Sequence, residues 1–238
     1  MSTLLLVHGG WAGGWAWDPV LPALDALNVS YTAIDLPGHG ARRRAMWSVS
    51  LNDYADAVIE AAEQIDGRVV TVGHSSGGYV ITAAAGRSPE SFDELVYLAG
   101  FVPVAGERLM QLALGDKASK LAPGVTPNPL LGRIALHPKV FGDAFFHDCT
   151  AADEENFARQ VELNPLRVGI KKLQLKPGFS EIPKSYVLCT NDQAVTTDYQ
   201  RWMAKRSSVP IKHELACGHM PMSAATEDLA RVLATYAA

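Results

Sequence analysis

This 238-residue chain is short of cysteine, of any charge excess and of long apolar runs. Its three cysteines, Cys149, Cys189 and Cys217, form no CxxC or CxxH pair, so neither a disulfide framework nor a structural zinc site is read from them. Twenty-one Lys plus Arg stand against 25 Asp plus Glu, a formal net charge of −4. No block of like charge exceeds Arg42-Arg43-Arg44. The basic face of a nucleic-acid binder is therefore missing, and that triplet reads as a solvated loop. No apolar stretch approaches the ~20 residues of a membrane span. The first residues carry no basic segment ahead of a long apolar run, as a signal peptide would. The expectation is a cytoplasmic protein in a reducing compartment, without nucleic-acid or membrane partners, monomer or homodimer.

With 48% hydrophobic residues, 20 glycines and 14 prolines, the chain has a globular profile. Its length suits one α/β domain of roughly 200–250 residues. Leu4 to His8, Ser30 to Asp35, Arg68 to Val72, Glu94 to Leu98, Lys184 to Cys189 and Ile211 to Leu215 read as strands. Helical spacing recurs over Pro19 to Leu27, Leu51 to Ile65, Gly77 to Gly86 and Thr226 to Tyr236. This alternation predicts a doubly wound, mostly parallel sheet whose ligands sit outside the carboxyl ends of the strands. The stretch from Phe101 to Pro183 is far longer than a crossover needs and is rich in proline and glycine. It is predicted to be an inserted helical cap, residues 101–183, on a core formed by 1–100 and 184–238.

Gly73-His74-Ser75-Ser76-Gly77 places a Gly-x-Ser-x-Gly where a strand passes into a small-residue helix. A serine on so sharp a turn needs small flanking residues, and only Ser75 is in frame. A hydroxyl is a weak nucleophile near neutral pH, so a base and an acid must come from elsewhere. Of seven histidines, His219 follows the last predicted strand in Cys217-Gly-His219-Met-Pro, at a carboxyl end. Asp192 follows the strand ending at Cys189, while its competitor Asp198 falls on a predicted helix. The order serine, acid, histidine suits a nucleophile elbow. Backbone donors for an oxyanion are read at Gly10, after the first strand, and at Ser76. Trp11, Phe141, Phe145, Phe146 and Met220, with Leu163 and Leu166, are candidate pocket walls. No cofactor and no metal is called for.

Val7-His-Gly-Gly with Gly13-Gly14-Trp15-Ala16-Trp17, the elbow, Val187-Leu-Cys-Thr-Asn-Asp192, Tyr199-Gln-Arg-Trp202 and Gly218-His-Met-Pro-Met222 resemble the α/β-hydrolase superfamily. More narrowly they resemble its plant methylesterase and hydroxynitrile lyase group with the bacterial relatives. The resemblance implies an α/β-hydrolase fold with Ser75 as nucleophile, His219 as base, Asp192 as its orienter, and Gly10 and Ser76 as donors. It also implies that the lyases carry threonine where Gly10 stands and lysine after the catalytic histidine, where this chain has Met220, which favours ester hydrolysis. Esterase-like members often have histidine where Ala12 stands, so this chain departs from them there. The expected function is serine-dependent hydrolysis of a small-molecule ester with an apolar or aromatic acyl part. The alternatives are a slow-turnover receptor, a carbamate, lactone or amide hydrolase, and a lyase.

Overall fold

The computed structural model describes residues 2–238. In chain order the elements are β1 (Ser2–Val7), α1 (Leu21–Ala26), β2 (Ser30–Ile34), α2 (Leu51–Glu63), β3 (Arg68–His74), α3 (Gly77–Arg87) and β4 (Glu94–Leu98). Then follow α4 (Leu109–Gly115), β5 (Val125–Asn128), β6 (Arg133–Leu136), α5 (Ala151–Gln160), β7 (Asn164–Pro165) and α6 (Leu166–Ile170). The chain ends with β8 (Lys184–Cys189), α7 (Thr197–Arg206), β9 (Ile211–Leu215), α8 (Pro221–Ala224) and α9 (Thr226–Ala237). Among the described residues no helix is long and apolar enough to cross a membrane.

Six strands form one sheet in the order β2-β1-β3-β4-β8-β9, and every pairing in it is parallel. Their side chains are those of strands covered on both faces: Leu4, Leu5, Leu6, Val70, Val72, Val96, Leu98, Val187 and Leu188 are fully buried. One face packs against α1 and α9 through Leu24, Leu229 and Leu233. The other packs against α2, α3 and α7 through Val58, Ile81 and Met203. Helix α2 starts at a capping box, where Ser50 N–H donates to Asp53 Oδ2 at 2.9 Å and Asp53 N–H to Ser50 Oγ at 3.4 Å. In α3, Gly77 to Gly86 are all buried, because small side chains let the helix lie close to β3 and β4. After β2 the chain returns to the other side of β1, so the order reverses between β1 and β3. Val7 pairs with Gly73 there, and the loops leaving these two strands share the crevice where ligands of such sheets bind.

Residues 101–183 leave from β4 and return into its neighbour β8. They are less helical than their composition suggests. Strands β5, β6 and β7 make a small antiparallel sheet that the periodicity did not reveal. The segment's longest helix, α5, starts at Ala151 because Thr150 and Asp153 cap it: Thr150 N–H donates to Asp153 Oδ2 at 3.0 Å.

Candidate active site

Ser75 occupies the turn between β3 and α3 with φ +54°, a left-handed conformation that costs a non-glycine residue about 1–3 kcal/mol. Its neighbours hold it there. Ser75 N–H donates to Leu98 O at 3.1 Å, and Ser75 O accepts from Gly78 N–H at 3.1 Å and Phe101 N–H at 3.0 Å. The two motif glycines are a matter of space. A Cβ at Gly73 would stand 2.7 Å from the Gly77 carbonyl carbon, and one at Gly77 would stand 2.7 Å from Val7 O.

The loops after β8 and β9 bring the other two groups to this serine. Ser75 Oγ lies 2.9 Å from His219 Nε2, and His219 Nδ1 lies 2.7 Å from Asp192 Oδ2. A carboxylate can only accept, so the imidazole proton sits on Nδ1 and Nε2 faces the serine as acceptor. Asp192 is held from the other side as well: its Oδ1 accepts from Ala194 N–H at 2.8 Å and Val195 N–H at 2.9 Å. Gln200 Nε2 donates to Asp192 Oδ2 at 2.9 Å and to Val195 O at 2.7 Å. Asp198 lies in the first turn of α7, as its surroundings suggested. The arrangement can move a proton from a serine hydroxyl to an imidazole whose new charge faces a carboxylate.

Gly9 and Gly10 run directly against the elbow, where a Cβ at Gly9 would stand 2.9 Å from Ser75 Cβ. Among the described residues neither Gly10 N–H nor Ser76 N–H donates to a protein acceptor, so both remain open as donors. Trp11 follows with φ +60°. Residues of the 101–183 segment clamp it: Trp11 N–H donates to Asn164 Oδ1 at 2.8 Å, and Trp11 O accepts from Glu162 N–H at 2.9 Å.

Above Ser75 and Ser76 opens a cleft of about 100 Å³, lined by Trp11, Leu109, Met110, Ala113, Leu121, Ile134 and Asn164 among others. Trp11, a candidate from the sequence, is among its lining residues. Phe145 and Met220 instead line a void of about 10 Å³ on the other side of Ser75 and His219. There the Phe145 ring stacks on the imidazole with centroids 5.2 Å apart. Phe141 and Phe146 do not line the cleft, and neither do Leu163 and Leu166. The two phenylalanines, one just before and one at the end of the π-helical turn Gly142–Phe146, pack on Phe157 of α5 at 5.2 and 5.1 Å between centroids. They are core of the 101–183 segment. The walls of this cleft come in part from α4 and from β6, elements whose short apolar runs carry no clear period.

Three other histidines surround the site and are held neutral. Burial lowers His74 from 6.5 to about 3, with the adjacent His219 as a second cause, and His74 Nε2–H donates to His219 O at 2.8 Å. Burial likewise lowers His8 to about 4 and His39 to about 3. His8 is satisfied at both ring nitrogens: Nδ1–H donates to Gly9 O at 2.8 Å, and Nε2 accepts from Leu36 N–H at 3.1 Å. Among the described residues no group of three His, Cys, Asp or Glu is placed to hold a metal ion. Sequence reasoning missed Asn164, Gln200 and the grip of His74 on His219. Gln200 stood in plain view in Tyr199-Gln-Arg-Trp202, and a polar residue on the core face of an amphipathic helix was the available signal.

The chain matches the model of the alpha/beta hydrolase family over residues 4–232. Methylesterase 9 of Arabidopsis thaliana is 28% identical over 96% of this chain and 95% of its own. Salicylic acid-binding protein 2 of Nicotiana tabacum is 26% identical over 92% and 90%. A pyrethroid hydrolase from Sphingobium faniae JZ-2 superposes with a TM-score of 0.87 at 21% identity, over 99% of this chain and 97% of the other.

Proposed function

This chain belongs to the alpha/beta hydrolase family, and within it we propose that it is a serine-dependent hydrolase of small carboxylic esters with an apolar or aromatic acyl part. The observation that carries the reading is the unbroken run of short contacts from Ser75 Oγ through His219 to Asp192. Ser75 Oγ bonds to the carbonyl carbon as its proton passes to His219 Nε2, and the carbonyl π pair moves onto oxygen. Gly10 and Ser76 N–H receive that charge. The tetrahedral species expels the alcohol, which takes the proton from His219. Water, deprotonated by the same imidazole, then releases the acid and restores Ser75. Asp192 holds the imidazole in its tautomer throughout. The relatives named as a methylesterase and a pyrethroid hydrolase support an ester as substrate.

The size and apolar lining of the cleft fit an acyl group on the scale of a single ring or a short alkyl chain. A lyase reaction is disfavoured by chemistry. Released cyanide needs a nearby cation, and the side chain after His219 is the buried, uncharged Met220. The proposed segment 101–183 acts as the cap that selects substrate.

A fluorophosphonate probe followed by a panel of methyl, aryl, lactone and carbamate substrates tests the reading. Labelling at Ser75 with repeated turnover of aryl or methyl esters is expected. Binding without turnover would favour a receptor. Cyanide release from mandelonitrile above buffer background, abolished in Ser75→Ala, would favour a lyase.

A further inference from the structure

The space where a side chain at position 10 would point is already filled. A Cβ built on Gly10 would stand 2.7 Å from Asn164 Nδ2 and 3.3 Å from Ser76 Oγ, so the Asn164 amide lies against Gly10, beside the two residues proposed to receive the oxyanion. Its orientation is set by chemistry. Trp11 N–H must face an acceptor and does so at 2.8 Å, which assigns that end of the amide as Oδ1 and leaves the NH₂ as the end against Gly10. Among the described residues the NH₂ meets no acceptor, and Asn164 lines both the cleft above Ser75 and a small void beside Gly9 and Gly10. An amide donor left open toward a cleft, where the segment's other polar side chain, Ser119, already donates to Ala194 O, has a substrate oxygen as its natural partner.

We propose that Asn164 is a third oxyanion donor, a catalytic residue supplied by the 101–183 segment. This role rests on the ester-hydrolase reading above. As Ser75 Oγ bonds to the acyl carbon and the π pair moves onto the carbonyl oxygen, Asn164 Nδ2–H donates to that oxygen. The same amide accounts for the glycine at position 10. The backbone there is outside the left-handed region that favours glycine, so space, and the amide occupying it, sets the residue.

Ester kinetics and the affinity of a trifluoromethyl ketone, which traps Ser75 as a charged hemiketal, test this role. Asn164→Ala should lower kcat on the order of 10²-fold with KM little changed, and weaken the ketone by a similar factor. Asn164→Asp keeps the acceptor for Trp11 N–H and removes the donor, so it should fall at least as far. Gly10→Ser should be harmful alone, by collision with Asn164, and partly restorative in Asn164→Ala, where its hydroxyl enters the vacated space. Asn164→Asp with near-normal kcat would reduce the residue to a clamp on Trp11 and overturn the proposal, as would Asn164→Ala with unchanged ketone affinity. A wild-type protein that neither labels with fluorophosphonate nor turns over esters would overturn the hydrolase reading itself.

Discussion

The parallel core and the segment between β4 and β8 build their parts of the site by opposite means. In the core, Ser75, Asp192 and His219 each stand within four residues of a strand's carboxyl end, and backbone hydrogen bonds and close-packed glycines hold the loops that carry them. In the segment, walls such as Met110, Leu121 and Ile134 come from a short helix, an irregular stretch and a four-residue strand, and a separate aromatic cluster is centred on Phe157. A loop tied by backbone hydrogen bonds to a strand end holds its side chain in one place, and proton transfer, where a misplacement of about 1 Å can cost on the order of 10²-fold, needs that. A cluster of side chains is easily reshaped, and that is how a pocket is altered without moving the nucleophile.

This contrast predicts that the largest losses come from the core and leave the fold intact. Ser75→Ala should cut turnover by a factor on the order of 10⁴ to 10⁶, because a nucleophile and its base act as a unit. Ser76→Ala keeps the backbone N–H and should cost far less. Equal losses would mean that the two serines have exchanged roles. Next in size, Asp192→Asn should lower kcat on the order of 10⁴-fold by allowing the wrong histidine tautomer. Asp198→Asn should leave steady-state rates near those of the parent.

A third prediction concerns stability. His8, His39 and His74 sit at about 4, 3 and 3, against 6.5 when unfolded. Between those limits the unfolded chain binds the protons and the folded one does not. Stability is therefore full above pH 6.5 and falls as the pH drops toward about 4, because the unfolded chain takes up protons that the folded one excludes. Urea unfolding at stepped pH should show that decline, and His39→Gln should flatten it. In the segment, Phe157→Ala should cost about 3–5 kcal/mol in stability, since it removes the ring that Phe141, Phe145 and Phe146 share. At temperatures where the variant is folded, its kcat on a small ester should stay near normal. A loss there as deep as that of Ser75→Ala would erase the contrast.

The same division decided what could be read in advance. Buried strands announce themselves as short apolar runs, and β8 and β9 fall where the residues place them, so the loops after them exposed Asp192 and His219 as candidates. The small sheet did not announce itself. β5 holds Pro127 and is exposed at its two central residues, and β7 is only Asn164 and Pro165, so neither shows a period of two. Asn164 is 153 residues from Trp11 in sequence, and no local pattern signals a contact so distant. Phe141 and Phe146 misled for a related reason. Their spacing marks them as buried, and burial in the core of the segment looks the same in sequence as burial against a ligand.

The smallest effect sharpens the comparison most, because it should alter choice of substrate without altering chemistry. Ala113 lines the cleft on α4, away from the contacts among Ser75, His219 and Asp192. Ala113→Leu adds about three methylene-sized groups to a space of about 100 Å³. Each such group is worth about 1–3 kcal/mol of discrimination in an apolar pocket, and partial relaxation of the neighbouring loops keeps the sum toward the low end. The low end of that sum, about 3 kcal/mol, means that phenylacetate-type acyl esters should lose kcat/KM on the order of 10²-fold relative to acetyl esters of the same alcohol. Acetyl ester turnover and fluorophosphonate labelling should stay within a few-fold of the parent, since the elbow and the donors at Gly10 and Ser76 are untouched. If bulky and small acyl esters fall together, α4 is positioning the proposed nucleophile rather than selecting the acyl group, and the contrast between strand-end loops and segment walls fails at that helix. If neither falls, the acyl group lies on the side of Phe145 and Met220, and the void there must open to admit it.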